Sequence, residues 1–114
     1  MKNTEMLKKN YEFRKVLVKG KFYCGKILIA HILKNKTQKN YLGLAISTKI
    51  GKATKRNRIK RLIRESYLNI ESDVTTGNSI IFLWRKEVPI EEAQFNKIKH
   101  DMLTIFKEAG ILKK

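Results

Sequence analysis

The sequence predicts an α+β fold: a single mixed sheet with helices packed on it. Three observations lead there. Apolar residues recur at helical spacing in three places, over Asn10–Lys19, from just after Thr54 to about Asn69, and from Pro89 to Gly110. Between them lie short apolar runs rich in β-formers, within Lys21–Leu33, at Tyr41–Ser47 and at Ser79–Trp84. The resulting order is helix, strands, helix, strand, helix, which one sheet with packed helices satisfies. A chain of 114 residues suits one domain, residues 1–114, with a modest core.

Taken in order, Asn10 is an expected N-cap and Gly20 an expected stop for the first helix. Phe13, Val16 and Leu17 share a face, and so short a helix needs a surface to dock on. Gly25 divides the extended stretch that follows, so two strands are possible. Ile27–Leu33 is almost continuously apolar, as in a strand covered on both faces. Tyr41–Ser47 places Leu42, Leu44 and Ile46 on one face and Tyr41, Gly43 and Ala45 on the other, where small residues leave room for something to lie. Pro89 is expected to open the last helix, with Glu91 and Glu92 in its first turn, and Phe95, Ile98, Met102, Ile105 and Phe106 facing the core. The strand, helix, strand unit should join Tyr41–Ser47 and Ser79–Trp84 in one sheet, and the general handedness rule makes that crossover right-handed.

Charge is distributed unevenly. The formal net charge is +16, yet residues 13–64 hold sixteen Lys or Arg and no acid, while residues 65–114 hold eight acids and seven bases. Such asymmetry points to a directed electrostatic footprint for nucleic acid. A hydrophobic content of 42% argues against global disorder. The first ten residues are polar and Ile27–Leu33 is too short to span a bilayer, so the expectation is a cytoplasmic protein without a membrane partner. Cys24 is the only cysteine, which excludes an internal disulfide; it is expected to be partly buried and inert.

The charge concentrates in Lys49–Glu65, with eight basic residues: Lys49, Lys52, Lys55, Arg56, Arg58, Lys60, Arg61 and Arg64. Ile59, Leu62, Ile63, Tyr67 and Ile70 fall on one helical face; Asn57, Lys60, Arg61 and Arg64 share the other, with Arg58 flanking and Arg56 at the border. Thr54 is the expected N-cap. Like charges at i, i+4 destabilise a helix, so stacking Arg56, Lys60 and Arg64 calls for a polyanion. A cationic row neutralises several phosphates at once, and Arg adds a planar fork for them. Such a face reads backbone rather than base edges, which argues against sequence-specific DNA recognition.

No catalytic set is visible. His31 sits in a strand and His100 in the last helix, with nothing to bring them together as an acid–base pair. The acids show no spaced metal-ligand cluster. Phe22 and Tyr23, between Lys21 and Lys26, suit either single-stranded RNA or a sheet edge.

The run Lys49-Ile-Gly-x-Ala53-x-x-Arg56-Asn57-Arg58-x-Lys60-Arg61-x-x-Arg64 resembles the signature of the protein subunit of bacterial ribonuclease P, and the likeness extends from Leu7 to the last helix. The resemblance implies a fold like the second domain of ribosomal protein S5, in the order α-β-β-β-α-β-α, with a left-handed βαβ crossover in place of the right-handed one. It implies that a large RNA subunit, with bound magnesium ions, hydrolyses the phosphodiester, and that the protein assists by binding. The basic helix and its preceding loop (Lys49, Lys52, Lys55, Arg56, Asn57, Arg58, Lys60, Arg61, Arg64) would contact the catalytic RNA. A cleft with Phe13, Leu17 and His31 would hold the single-stranded 5′ leader of precursor tRNA. The chain departs from the family at Leu17, commonly aromatic, at His31, commonly Tyr, and at Thr48, often Lys. Leu17 stacks poorly on a base. His31 stacks and titrates near neutrality, which predicts weaker or more pH-dependent leader contacts. Lys52 and Lys55 can compensate for Thr48. The rival reading is a structural RNA binder such as a small ribosomal protein, against which the spaced Arg and Lys pattern argues.

Overall fold

A computed structural model describes residues 2–113. Five strands form one mixed sheet: β1 (Thr4–Met6), β2 (Lys21–Cys24), β3 (Leu28–Lys34), β4 (Asn40–Leu44) and β5 (Asn78–Trp84), in the spatial order β1-β4-β5-β3-β2. Three helices pack on it: α1 (Asn10–Lys19), α2 (Ala53–Ile70) and α3 (Phe95–Ala109). The expected α-β-β-β-α-β-α order holds from Asn10 onward. A short strand the sequence did not announce, β1, precedes it and pairs parallel with β4. As anticipated, β4 and β5 are parallel neighbours joined through α2, and Gly25 separates β2 from β3.

Alternation along the strands gives the sheet two unlike faces. Leu28, Ala30, Ile32, Leu42, Ile80, Phe82 and Trp84 point to the main core. There they meet Ile59, Ile63 and Tyr67 of α2 and Ile98, Met102, Ile105 and Phe106 of α3, with Phe106 against both Tyr67 and Phe82. The opposite face carries Ile29, His31, Tyr41, Gly43, Ile81 and Leu83, and the short helix α1 is docked on it through buried Val16. Thus β3 is not covered equally on both sides as its apolar run suggested. Its second face is only half-buried at Ile29, His31 and Leu33, because a ten-residue helix is too small to cover it.

Several boundaries differ from the sequence reading. Helix α1 begins at Asn10 itself, with Lys9 as N-cap, because the Glu12 carboxylate reaches back to accept the Lys9 (2.9 Å) and Lys8 (3.3 Å) amides. Lys52, not Thr54, caps α2, since its carbonyl already accepts the Lys55 and Arg56 amides, both at 3.0 Å. Strand β4 ends at Leu44, short of Ser47. Beyond it the Ser47 hydroxyl accepts the Lys49 amide (3.2 Å), and the turn Thr48–Ile50 opens. Pro89 opens only a one-turn 3-10 helix, Ile90–Glu92. Fully buried Ala93, whose backbone at φ -75 and ψ 74 is not helical, breaks it before α3 starts at Phe95, so Glu91 and Glu92 lie outside that helix. Gly110 does end α3, in the left-handed conformation that glycine adopts freely. Gly20 ends α1 for a different reason: its backbone is extended, and a Cβ there would stand 2.6 Å from the Val16 carbonyl.

A polar cluster fixes the edge where β1 joins. The Thr4 hydroxyl lies 2.7 Å from the buried Tyr67 hydroxyl; Asn40 donates to Tyr67 (3.3 Å) and to the Thr75 carbonyl (2.9 Å), and its side-chain oxygen accepts the Asn78 amide (2.9 Å). These bonds tie β1, β4, β5 and the end of α2 together. Buried polar groups of this kind must be paired, and here they are.

Candidate nucleic-acid interface

Helix α2 is held by its apolar face. Ile59, Ile63, Tyr67 and Ile70 are buried, each worth about 1.5–3 kcal/mol on burial. The like-charge pairs Arg56/Lys60 and Lys60/Arg64 cost only a few tenths of a kcal/mol each. Packing therefore wins by an order of magnitude, and a repelling cationic row stays helical.

Lys49, Lys52, Lys55, Asn57, Arg58 and Arg61 are exposed; Arg56, Lys60 and Arg64 are half-buried. Arg56 has a structural task, since its guanidinium donates to the Gly51 carbonyl at 2.8 Å and fastens the loop ahead of α2 to the helix. Among the described residues the one ion pair to this row is Arg61–Glu65, a loose and exposed contact at 4.0 Å. The remaining charges have no acidic partner, and the row is a cationic surface set on a rigid element.

The second predicted site lies on the other face of the sheet. Phe13 packs over Gly43, where the small residue expected to leave room does so: a Cβ at Gly43 would stand 2.7 Å from the Phe13 ring. Phe13 is half-buried and Leu17 is 37% exposed beside it. His31 lies across from Phe22 on β2, ring centroids 5.4 Å apart, and Phe22 is 58% exposed. Phe22 thus joins His31 in a small aromatic ledge. The interleaving of aromatics with Lys21 and Lys26 was the only hint of it in sequence. Burial holds the His31 imidazole below its ordinary value of 6.5, and its Nδ1 has no hydrogen-bond partner. Burial therefore favours the uncharged imidazole and moves its titration toward the acid side.

The β2–β3 hairpin carrying this ledge is pinned from behind. Asp101 of α3, buried, accepts the amides of Lys26 (2.7 Å), Ile27 (2.9 Å) and Leu28 (2.8 Å). Arg85 donates to the Gly25 carbonyl at 2.7 Å, and a side chain at Gly25 would collide with the Asp101 carboxylate. Nothing in the sequence around Asp101 marks it, because its partners lie more than seventy residues away. Cys24, expected to be partly buried, is exposed at the end of β2, a sheet edge.

His31 faces α1, whereas exposed His100 sits on α3, which packs on the opposite face. Among the described residues no three His, Cys, Asp or Glu side chains gather as metal ligands. Among the described residues no helix is long and apolar enough to cross a membrane.

Fold and surface together define a class: a small α+β protein that offers a cationic helix on one side of its sheet and partly exposed aromatic side chains on the other, features that suit an RNA-binding subunit. The chain belongs to the Ribonuclease P family, whose model matches residues 1–110, and is of the kind that forms the protein component of that ribonucleoprotein. The ribonuclease P protein component of Clostridioides difficile is 40% identical over 109 residues, covering 95% of this chain and 94% of the relative. That of Clostridium botulinum (Loch Maree) is 39% identical over 106 residues, 92% and 94%. The solved RNase P protein of Staphylococcus aureus superposes with a TM-score of 0.82 at 28% identity, covering 95% of this chain and 97% of that one. The Thermotoga maritima protein gives 0.82 at 27%, covering 91% and 96%.

Proposed function

We propose that this protein binds the catalytic RNA of ribonuclease P through Lys49, Lys52, Lys55, Arg56, Asn57, Arg58, Lys60, Arg61 and Arg64. In the same reading it holds the single-stranded 5′ leader of precursor tRNA in the cleft of Phe13, Leu17 and His31. The observation that carries the reading is the unneutralised cationic row on a helix whose opposite face is locked into the core. Each phosphate it contacts releases counterions, so association is strong at low salt and falls steeply as salt rises. Half-exposed apolar and aromatic side chains beside α1 suit unstacked bases, with Phe22 supporting His31. Among the described residues the carboxylates form no ligand group for a metal. In this reading the magnesium ions that hydrolysis uses sit on the RNA, and the protein's own contribution is to screen phosphate repulsion between two RNAs and to grip the leader. The proposed site of action is the cytoplasm.

Single-turnover cleavage of a precursor tRNA by its cognate catalytic RNA at low magnesium, with and without the protein, tests this. Cleavage at the mature 5′ end that requires both components supports it. Tight RNA binding without any change in cleavage would point to a structural RNA binder, and cleavage by protein alone would refute the absence of a protein catalytic site.

A further inference from the structure

A second groove lies along the flank of α1 that faces away from Phe13 and Leu17. It encloses about 450 Å³, between Tyr11 and Lys15 of the helix, Lys34 and Lys36 at the end of β3 and its loop, and Tyr41 and Ser79 at the starts of β4 and β5. This is the end of the sheet remote from the N-terminus of α2, so the basic helix does not account for it. Lys34 donates to Asn78 at 2.9 Å, and neighbouring Lys39 is paired with Glu5. Among the described residues Lys15 and Lys36 have no acidic partner. The one acid in the lining, Glu12, turns its carboxylate to the Lys8 and Lys9 amides.

The loop that supplies Lys36 is built, not slack. The Asn35 side chain accepts the Thr37 amide (2.9 Å) and hydroxyl (2.7 Å) and donates to the Lys39 carbonyl and the Ser79 hydroxyl, both at 3.1 Å. These bonds hold Lys36 at φ 60, the left-handed conformation, and it is the one non-glycine residue there among the described residues. A lysine in that conformation persists only where its surroundings impose it, and such outliers gather at binding sites. Above the groove Tyr11 is 64% exposed, with the Lys9 ammonium 5.8 Å from its ring centroid. An exposed ring among cations can stack on an unpaired base while the ammonium groups meet its phosphates; paired bases are not available for this.

We propose that this groove is a second single-strand RNA site, taking the part of the precursor leader farther from the cleavage point than the segment in the cleft. The proposal rests on the leader reading of that cleft. One helix separates the two sites, about 10 Å across with its side chains, so a strand leaving the cleft has a short way to go.

The test uses the reconstituted holoenzyme and precursor tRNAs whose leaders lengthen one nucleotide at a time. Dissociation constants are compared for the parent, Tyr11→Ala, and the double variant Lys15→Gln/Lys36→Gln. Short leaders should bind all three alike. Beyond a threshold length the parent gains affinity that Tyr11→Ala loses by about tenfold, as for a missing stacking platform. The double variant should lower the salt slope by about 1.4, two single-strand phosphates. Curves that coincide at every length, or a loss equal at every length including none, overturn the proposal. So does a groove that poly-glutamate occupies with Tyr11 sensitivity while leader length has no effect, since that is an acidic protein surface. Leu17→Ala and Phe22→Ala separate the two ideas. They should remove the gain from short leaders only; a parent with no such gain refutes the cleft reading, and the groove then stands or falls on the longer leaders.

Discussion

Gly43→Ala puts one methyl group between β4 and α1. The new Cβ would stand 2.7 Å from Phe13 Cε1 and 3.0 Å from both Phe13 Cζ and Leu7 Cδ1. Carbon atoms in contact rest about 3.5–4.0 Å apart, so the ring must retreat by close to an ångström. Phe13 turning outward gives up part of its burial, and overpacking of this kind costs about 1–3 kcal/mol. Urea unfolding of the variant should show that loss with an unchanged slope. Affinity for a leader-bearing precursor should fall as well, because the same ring belongs to the proposed leader site, while affinity for the catalytic RNA alone stays at the parent level. A double-mutant cycle isolates the cause. Phe13→Leu removes the two contacts with the ring and leaves only the one with Leu7, so Gly43→Ala/Phe13→Leu should be more stable than the sum of the two single losses by about 1 kcal/mol. Strict additivity, within about 0.3–0.5 kcal/mol, would refute the claim that Gly43 exists to seat Phe13.

Three further outcomes follow from the same geometry. Asp101→Asn leaves an amide hydrogen facing one of three backbone donors and removes the charge the other two bind; a loss of about 2–4 kcal/mol is expected, measured by urea unfolding, and no loss would contradict the pinning of the hairpin. Arg58→Gln/Arg61→Gln touches exposed side chains, so stability should hold within about 0.5 kcal/mol, while the salt slope for catalytic-RNA binding drops by about 0.9 for each phosphate no longer neutralised; an unchanged slope would take both arginines out of the interface. His31 has its pKa lowered by burial, so below 6.5 the unfolded chain binds more protons than the folded one and stability falls as pH falls through that range. Unfolding midpoints between pH 7 and 5 should show this sag in the parent and less of it in His31→Gln; identical profiles would remove His31 as its source.

The amino-acid order by itself determined the element types, the apolar faces of all three helices, the basic row of α2 and the family, because each of these is written in local periodicity or in one ungapped motif. It foresaw that Gly43 leaves room, though not that Phe13 would occupy it. It missed β1, whose three residues have no periodicity to read and gain their place from β4 and the Thr4–Tyr67 contact. It misplaced the N-cap of α1 and the starts of α2 and α3, because Glu12, the Lys52 carbonyl and buried Ala93 settle them through hydrogen bonds and packing rather than through the residue type at the cap. Only the tertiary structure decided that β3 is half open on one face, that Phe22 backs His31, and that Asp101 holds their hairpin from α3. The same is true of the groove beside Lys15 and Lys36, whose lysines are scattered in sequence and meet only where the sheet ends. The physical reason is common to all four: strand pairing and helix docking bring together residues far apart along the chain, and no local spacing records which of them will meet.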